Sequence, residues 1–279
     1  MIDRLDRADS KLHGPTAISL FAGAGGCSLG FQQAGYDIRF AADIDADAVE
    51  SYHRNFPTTP CEVIDIRELG VESLLERTGL GRGELDILLG GPPCQGFSSA
   101  GVKSGGDPRN LLLQHYVRLL EDIRPKWFVM ENVEGLLTNA GGLHIRDAVE
   151  LFLKAGYAVN VEKLYAQGYG VPQRRKRVLI VGNRLGHDFL FPEVVTRFSG
   201  SIFRKGEVTF MTATSDLPPA TEDADRALGY CESPRNELQA YLRGEGKNIT
   251  DHFVSVLSEI QLERVLQLLR QIFHGLAGL

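Results

Sequence analysis

Short apolar runs alternate with amphipathic stretches through the first half of the chain. The apolar runs end in Gly, Asp or Asn, and they lie in the stretches AISLFAG, IRFAADI, DILLGG and WFVMENV. Between them, apolar residues recur at spacings of three and four in LGFQQAG, ADAVESYHRNF, VESLLERTG and NLLLQHYVRLLEDI. Short apolar runs are typical of parallel strands covered on both faces, whereas apolar residues spaced by three and four are typical of helices. The sequence therefore predicts an α/β fold with a doubly wound, mostly parallel sheet.

Composition narrows the class of protein. Of 279 residues, 43% are hydrophobic and 24% are charged, which is enough for a substantial core. The chain has no long apolar run and its N-terminus, MIDRLDRADSKLHG, is charged, so we expect a cytoplasmic protein without a signal peptide or a membrane span. Four widely separated cysteines without a CxxC pair predict neither a zinc site nor a disulfide framework. The net charge of −6 argues against nonspecific coating of nucleic acid, but it permits a local basic groove.

Glycines follow the first predicted strand, in the stretch FAGAGG at residues 21–26. Glycine allows a tight turn and close approach of a ligand to the backbone, and the N-terminus of the following helix favours an anionic group. The spacing differs from the dinucleotide-binding pattern GxGxxG, because Ser28 stands where the third glycine is required. A ligand-binding turn and a purely structural turn both remain open at this point.

Acidic residues end the next two apolar runs. Asp43 comes about 20 residues after the glycine turn, where an acidic side chain can bind two ribose hydroxyls. The alternative is a cap for the helix that follows, although Asp45 suits that role equally well. Asp65, in the run CEVIDI, can accept a hydrogen bond from an adenine amino group. Together with the glycine turn, these residues predict a site for an adenosine-containing ligand.

A single thiol, Cys94, follows the fourth predicted strand in GGPPCQGFSSAG. A core cysteine more often lies inside an apolar run, so a stiff turn beside Pro92 and Pro93 favours a nucleophile. A free thiol is only slightly ionised at neutral pH and needs nearby positive charge or a helix N-terminus. The next segment, SSAGVKSGGDPRN, carries Lys103 and Arg109 and suits a mobile lid over a polyanion, with a plain surface loop as the alternative.

The fifth predicted strand and a later basic run supply the remaining polar groups. Glu131 ends the fifth strand in ENV, where a carboxylic acid that keeps its proton can donate to a ring nitrogen. A helix cap is the alternative. The run QRRKR at residues 173–177 precedes a further apolar strand, and strand alternation places Arg175 and Arg177 on one face. Arg174 and Lys176 then share the other face, although such runs are usually solvated.

Taken together, these motifs resemble those of the DNA cytosine-5 methyltransferases. FAGAGG, the Asp43 and Asp65 positions, PPCQGFS, ENV and QRRKR follow the family's order and spacing over about residues 17 to 183. The resemblance implies a Rossmann-like methyltransferase fold and transfer of a methyl group from S-adenosylmethionine to carbon 5 of cytosine in duplex DNA. S-adenosylhomocysteine would be the other product, the target base would be flipped out of the duplex, and the biological setting would be restriction and modification.

The resemblance also implies roles for individual residues. Cys94 would attack cytosine C6 and Glu131 would protonate or hydrogen-bond N3, while Arg175 and Arg177 match the QxRxR motif, with Arg177 on the cytosine O2. The implied cofactor-binding residues are Phe21, Ala22, Gly23, Gly25, Gly26, Asp43, Ile44, Asp65, Ile66, Pro93 and Leu112. The implied substrate-binding residues are Gln95, Ser98, Lys103, Arg109 and Asn132. No metal is expected.

The resemblance weakens after residue 183. The family's target recognition domain, its RxxxxxQxFP-like stretch and its GNxVPP-like segment have no counterpart in residues 184–279. We therefore expect an N-terminal extension over 1–16, a catalytic domain over 17–190 and a connector over 191–279. The connector ends in the run QLERVLQLLRQIF, whose apolar stripe is either core or a docking face.

Three functions remain open after this comparison. The chain is expected to be the catalytic part of a truncated or split DNA methyltransferase, and in a split enzyme the recognition domain lies on a second chain. The alternatives are an inactive module that binds the cofactor or a partner, and a cytosine-5 methyltransferase that acts on transfer RNA.

Overall fold

A computed structural model describes residues 14–93, 110–194, 208–223, 226–244, 246, 248–249 and 252–253. Its contacts divide the chain into two units, one spanning Met1–Gly168 and Arg174–Val194 and the other spanning Tyr169–Gln173 and Val195–Leu279. Five residues with predicted catalytic or substrate-binding roles lie outside the described ranges: Cys94, Gln95, Ser98, Lys103 and Arg109. The apolar stripe of the C-terminal run also lies outside them. The proposed division into extension, catalytic domain and connector stays a prediction.

Seven of the described strands form one sheet in the first unit. They are β1 (Thr16–Leu20), β2 (Asp37–Asp43), β3 (Cys61–Val63), β4 (Ile87–Gly90), β5 (Trp127–Asn132), β6 (Ala158–Tyr165) and β7 (Lys176–Asn183). Their order is β3-β2-β1-β4-β5-β7-β6, with parallel pairing from β3 to β5 and antiparallel pairing of β7 with β5 and β6. The predicted mostly parallel α/β sheet is confirmed.

Helices connect the parallel strands. In the first unit they are α1 (Gly26–Gln33), α2 (Ala46–Asn55), α3 (Val71–Thr78), α4 (Asn110–Ile123), α5 (Gly135–Thr138) and α6 (Leu143–Lys154). The first four fall on the four amphipathic stretches of the sequence. With a helix after each of the first four strands, the carboxyl ends of β1 to β5 lie along one edge of the sheet, where ligands bind in folds of this kind.

One face of the sheet is covered by α3, α4 and α6. Phe40 of β2, Leu88 of β4 and Phe128 of β5 are fully buried there, together with Tyr116 of α4 and Phe152 of α6. The Phe128 and Phe152 ring centroids are 4.5 Å apart. Full burial of side chains of this size stabilises the folded chain by about 1.5–3 kcal/mol each. This core fixes the strands whose ends carry the candidate site.

The opposite face is covered unevenly. Helices α1 and α2 pack at the β1–β2 side, where Val49 and Tyr52 of α2 are buried against Ala41. On the same face, Phe31 of α1 packs against the cluster that contains Leu89 of β4, whereas Trp127 and Val129 of β5 are only partly buried. Apolar runs in parallel strands predict cover on both faces. Within the described residues, helices cover one face of the sheet. On the other face, the cover is incomplete over β5.

The second unit contains short elements. They are α7 (Phe210–Thr214), α8 (Glu237–Arg243) and a two-stranded sheet of β8 (Leu228–Gly229) and β9 (Asn248–Ile249). Arg243 donates two hydrogen bonds to Asp216 Oδ2, at 2.8 and 2.6 Å, and its guanidinium lies 3.9 Å from the ring centroid of Tyr230. None of the helices in the described ranges is long and apolar enough to cross a membrane.

Candidate active site

The glycine turn after β1 has an unusual backbone. Phe21, Gly23 and Gly25 have positive φ values of 54°, 55° and 100°. A Cβ on Gly25 would lie 2.2 Å from a ring atom of Phe56, so the position requires glycine for space as well as for conformation. The Gly25 amide donates to the Ala22 carbonyl at 3.0 Å. The turn therefore presents Phe21 in a strained conformation at the carboxyl edge of the sheet.

Asp43, at the end of β2, holds this turn from the neighbouring strand. Its Oδ2 accepts a hydrogen bond from the Gly23 amide at 2.8 Å, and its Oδ1 accepts one from the Asp45 amide at 3.0 Å. Asp45 is the N-cap of α2 and accepts from the amides of Asp47 and Ala48. The helix-cap alternative for Asp43 is therefore wrong. Each Asp43 oxygen can accept a further hydrogen bond.

A cavity of about 230 Å³ lies beside the turn, with Asp43 and Asp65 in its wall. Most of the predicted cofactor-binding residues line it, namely Phe21, Asp43, Ile44, Asp65, Ile66, Pro93 and Leu112. Leu20, Ala42, Ile64, Arg67 and Leu69 complete the wall. The other four predicted residues, Ala22, Gly23, Gly25 and Gly26, lie on the adjacent turn and the start of α1 instead. The cavity is thus apolar with two carboxylates.

Asp65 does not face the cavity alone. The Arg67 Nε donates to both Asp65 oxygens, at 2.9 and 2.8 Å, and the Arg67 Nη2 also contacts Oδ2. These hydrogen bonds lower the pKa of the Asp65 carboxyl. Arg67 was not among the residues predicted from the sequence. The only sequence feature that pointed to this contact is the spacing of two residues, which lets the Arg67 side chain reach back to Asp65.

Glu131 forms an ion pair across β5 and β7. It lies opposite Leu179 in the antiparallel pairing, and Arg177 lies two residues from Leu179 on the same face. The Arg177 Nε donates to Glu131 Oε1 at 2.5 Å, and the Arg175 Nη2 is 3.7 Å from the same oxygen. The structure thus brings together Glu131, Arg175 and Arg177, the three predicted catalytic residues that lie within the described ranges. The contact is that of a carboxylate with guanidinium, so the predicted proton donation by Glu131 stays a prediction.

Asn132 connects this pair to the turn that leads into Cys94. Its side-chain amide donates to the Pro92 carbonyl at 2.9 Å, and its Oδ1 accepts from the Val133 amide at 2.8 Å. The residue is only 6% exposed. A Cβ on Gly91 would lie 3.6 Å from Glu131 Oε2, so the backbone ahead of Cys94 passes directly beside the carboxylate. Asn132 positions this turn, and its predicted contact with substrate stays a prediction.

A second thiol, Cys27, lies in the first turn of α1 near the same groups. Although the residue is exposed, desolvation of its thiol raises the pKa, the Glu131 carboxylate raises it further and Arg175 opposes the change. A thiol with a raised pKa is a weak nucleophile at neutral pH. Its proximity to Glu131 was missed from the sequence, where only its place directly after the glycine turn pointed to it.

The opposite face of the basic run makes a different contact. Lys176 donates to Glu134 at 3.3 Å, and Lys163 of β6 donates to the same carboxylate at 3.2 Å. Both hydrogen bonds lower the pKa of the Glu134 carboxyl, and the larger contribution comes from Lys163. Lys176 is therefore turned away from Glu131, as strand alternation predicts. Within the described part of the chain, no cluster of three or more His, Cys, Asp and Glu side chains could hold a metal ion.

Comparison with known proteins agrees with this arrangement. Residues 16–258 match the family model of the C-5 cytosine-specific DNA methylases. The chain belongs to this family. The resemblance drawn from the motifs is therefore confirmed, and the match extends beyond residue 183, where the motifs end.

Among curated relatives, the Type II methyltransferase M.AgeI of Thalassovita gelatinovora is 36% identical over 269 residues, which is 90% of this chain and 63% of that protein. M.AquIA of Picosynechococcus is 37% identical over 239 residues, covering 80% of this chain and 96% of the relative. The chain thus spans less than two thirds of M.AgeI and nearly all of M.AquIA. A solved structure from E. coli, a proposed prophage-encoded DNA modification methyltransferase, has a TM-score of 0.68 at 26% identity and covers 90% of this chain and 74% of that one.

Proposed function

We propose that this chain binds S-adenosylmethionine and transfers its methyl group to carbon 5 of cytosine in duplex DNA. One observation carries the proposal: the Glu131–Arg177 pair and the turn leading into Cys94 share the sheet edge with the cavity that contains Asp43 and Asp65. A methyl donor in that cavity and a base beside Glu131 would meet at the same edge.

The cavity residues suit an adenosine-containing cofactor. The Asp43 oxygens, each with one free acceptor position, match two ribose hydroxyls. Asp65 matches the adenine amino group, while the apolar side chains of Ile44, Ile66 and Leu112 suit the faces of a purine ring. When bound, this cofactor supplies an electrophilic methyl group on a sulfonium centre.

The ion pair suits one edge of cytosine. That edge presents N3 and O2 as acceptors, so it needs a proton or a donor at each. In the proposal, Arg177 donates to O2 and Glu131 holds the proton at N3. The Asn132 contact to the Pro92 carbonyl keeps the nucleophile's turn in register with Glu131. Arg175, farther from the carboxylate, adds positive charge to the same place.

Cys94 would supply covalent catalysis. Its thiolate adds to C6 while N3 takes a proton, and the electron pair moved to C5 makes that carbon nucleophilic. C5 then takes the methyl group, and S-adenosylhomocysteine is the leaving product. A base, for which water is sufficient, removes the C5 proton, the thiolate leaves C6 as the ring double bond forms again, and the N3 proton returns to Glu131. This chemistry requires a base that has been flipped out of the duplex.

A second chain that carries a recognition domain is part of the proposal. This chain covers only 63% of M.AgeI and 55% of M.XorII, which are both named Type II methyltransferases. Each of these relatives therefore has further sequence outside the match. M.AquIA is also named a Type II methyltransferase, and this chain covers 96% of its length. We therefore propose that DNA is held and read with the help of another polypeptide.

The test is methyl transfer from labelled S-adenosylmethionine to duplex DNA by the purified chain, alone and with polypeptides encoded beside it. Activity that is abolished by Cys94→Ser, with cofactor binding retained, supports the proposal. Duplex DNA containing 5-fluorocytosine should trap a covalent adduct on the peptide that contains Cys94. Cofactor binding without transfer in every combination would leave a noncatalytic binding module, and transfer to RNA alone would replace the DNA substrate; either result overturns the proposal.

A further inference from the structure

The loop between β3 and α3, residues 64–70, forms one side of the cavity and carries Asp65. The cavity wall includes Ile64, Asp65, Ile66, Arg67 and Leu69 from this loop. At its start the loop is tied to β2, because the Ile64 amide donates to the Asp43 carbonyl at 2.8 Å. Beyond that point it leaves the sheet, so contacts from another element must fix where the Asp65 carboxylate lies.

Arg118 of α4 provides such contacts in the middle of the loop. Its Nη2 donates to the Leu69 carbonyl at 2.9 Å and to the Ile66 carbonyl at 3.2 Å. Ile66 and Leu69 are both buried, and buried backbone carbonyls need hydrogen-bond partners. The guanidinium therefore holds the backbone on both sides of Arg67 and directly after Asp65.

The position of Arg118 is fixed from its own helix. Its Nη1 is 3.9 Å from Asp122 Oδ2, one turn later on α4. A guanidinium presents five N–H donors in a rigid fork, so it can serve two carbonyls and face a carboxylate at the same time. The Arg118 side chain is 35% exposed, and its replacement therefore leaves no empty space in the core.

Leu112, His115 and Arg118 stand three residues apart on α4 and form one stripe along the helix. Leu112 lines the cavity, and His115 lies within electrostatic range of Asp65. Desolvation lowers the pKa of the His115 imidazole and the charge of Arg118 lowers it further, although Asp65 opposes the change. The ring is therefore uncharged at neutral pH and does not compete with Arg67 for the Asp65 carboxylate.

We propose that Arg118 is a positioning residue for adenine recognition. By holding the Ile66 and Leu69 carbonyls, it directs the Asp65 carboxylate toward the amino group of the purine. The inference rests on the proposed binding of S-adenosylmethionine and adds to it a residue outside the cavity wall. A hydrogen bond to the amino group depends on direction, whereas apolar contact with the purine faces does not. Release of the loop should therefore weaken recognition of the amino group more than it weakens contact with the ring.

The test compares Arg118→Met with Arg184→Met. Arg184 makes the same kind of contact before β4 and β5, at the opposite edge of the sheet, where it donates to the carbonyls of Arg124, Pro125 and Gly83 at 2.9, 3.1 and 3.0 Å. Methionine keeps an apolar stem and removes every donor in both variants. Arg118→Lys retains the charge and one donor group, and urea unfolding establishes which variants are folded.

Binding of S-adenosylhomocysteine and of S-inosylhomocysteine is measured by calorimetry. The inosine ligand has an oxygen in place of the amino group, so it should bind to the unaltered chain roughly 10- to 100-fold more weakly, as expected for loss of a hydrogen bond to a charged group. Arg118→Met should reduce this ratio severalfold, chiefly by weakening the adenosine ligand. Arg118→Lys should give an intermediate ratio and carries the same comparison if Arg118→Met does not fold, while Arg184→Met should keep the ratio of the unaltered chain.

Hydrogen exchange gives a second measurement, which needs no ligand. Amides of residues 64–70 should exchange faster in Arg118→Met than in the unaltered chain or in Arg184→Met. Unchanged exchange in Arg118→Met, an unchanged ratio of affinities, or an equal fall of the ratio in Arg184→Met would each overturn the inference alone. If the unaltered chain bound neither ligand, the proposed cofactor binding would be refuted and the inference with it.

Discussion

Glu131 and Arg177 lie on neighbouring antiparallel strands and are joined by a hydrogen bond of 2.5 Å from Arg177 Nε to Glu131 Oε1. Both side chains are about 30% exposed, at 30% and 27%, so the pair is open to a ligand while its geometry is fixed by the sheet. The backbone ahead of Cys94 runs past the same carboxylate, and the proposed mechanism therefore places the target base beside this pair.

Glu131→Gln tests the proposed proton transfer at N3. The amide keeps the size and one hydrogen-bonding oxygen but cannot hold an acidic proton, so kcat should fall by roughly 10²–10⁴-fold, the usual range for loss of an acid or base. Steady-state transfer to duplex DNA measures it. Glu134→Gln is the matched control, because Glu134 follows closely in sequence and binds Lys163 and Lys176 instead of Arg177. Equal effects in the two variants would contradict a specific role for Glu131.

Asp43 and Asp65 are predicted to hold the cofactor, and Asp45 offers a contrast to the first of them. Asp43→Ala removes the acceptor of the Gly23 amide and both proposed ribose contacts, so affinity for S-adenosylmethionine should fall at least tenfold, or about 1.4 kcal/mol. Asp45→Ala removes the cap of α2 and should cost about 1 kcal/mol of unfolding free energy with little change in affinity. Calorimetric binding and chemical unfolding measure the two effects. The reverse pattern would make Asp43 structural.

Most of the sheet edge could be predicted from the sequence because each group follows an apolar run directly. Asp43, Asp65 and Glu131 are placed by strand ends alone, and the alternation of Arg177 with Lys176 follows from the period of a strand. The cap at Asp45 could not be separated from Asp43 by pattern, since both are acidic and both precede α2. Only the hydrogen bonds to Asp47 and Ala48 distinguish them.

Side-chain contacts that leave no periodic signal could not be predicted. Arg67 turns back onto Asp65, and Cys27 lies near Glu131, because of local side-chain direction and packing that leave no periodic signal. Among the described residues, the partly buried face around Trp127 and Val129 is a further difference. Apolar strands indicate that a face must be buried, but they do not indicate which segment of the chain covers it. The short helix α5, the longer helix α6 and strand β6 were also not predicted from the sequence.

Gly25 is expected to be the least replaceable residue of the turn. Gly25→Ala places a Cβ 2.2 Å from the Phe56 ring in a backbone with φ of 100°, so we expect a loss of about 2–4 kcal/mol in unfolding free energy. Gly26→Ala is the matched control, because a Cβ there meets nothing within 4 Å and the residue starts α1. Urea unfolding of both variants measures the difference. Equal stability of the two would show that the turn relaxes freely.

Arg67 should set the pH range over which the cofactor binds. Its hydrogen bonds lower the pKa of Asp65, so this carboxylate stays ionised, and able to accept from an adenine amino group, to a pH below its ordinary value of about 3.9. In Arg67→Gln the pKa rises back toward that value. On acidification, affinity for S-adenosylmethionine should then be lost at a higher pH than in the unaltered chain, as measured by binding titrations at stepwise lower pH. Arg77→Gln serves as control, because Arg77 pairs with Glu62 outside the cavity wall. Coincident pH profiles for Arg67→Gln and the unaltered chain would exclude Asp65 ionisation from cofactor binding.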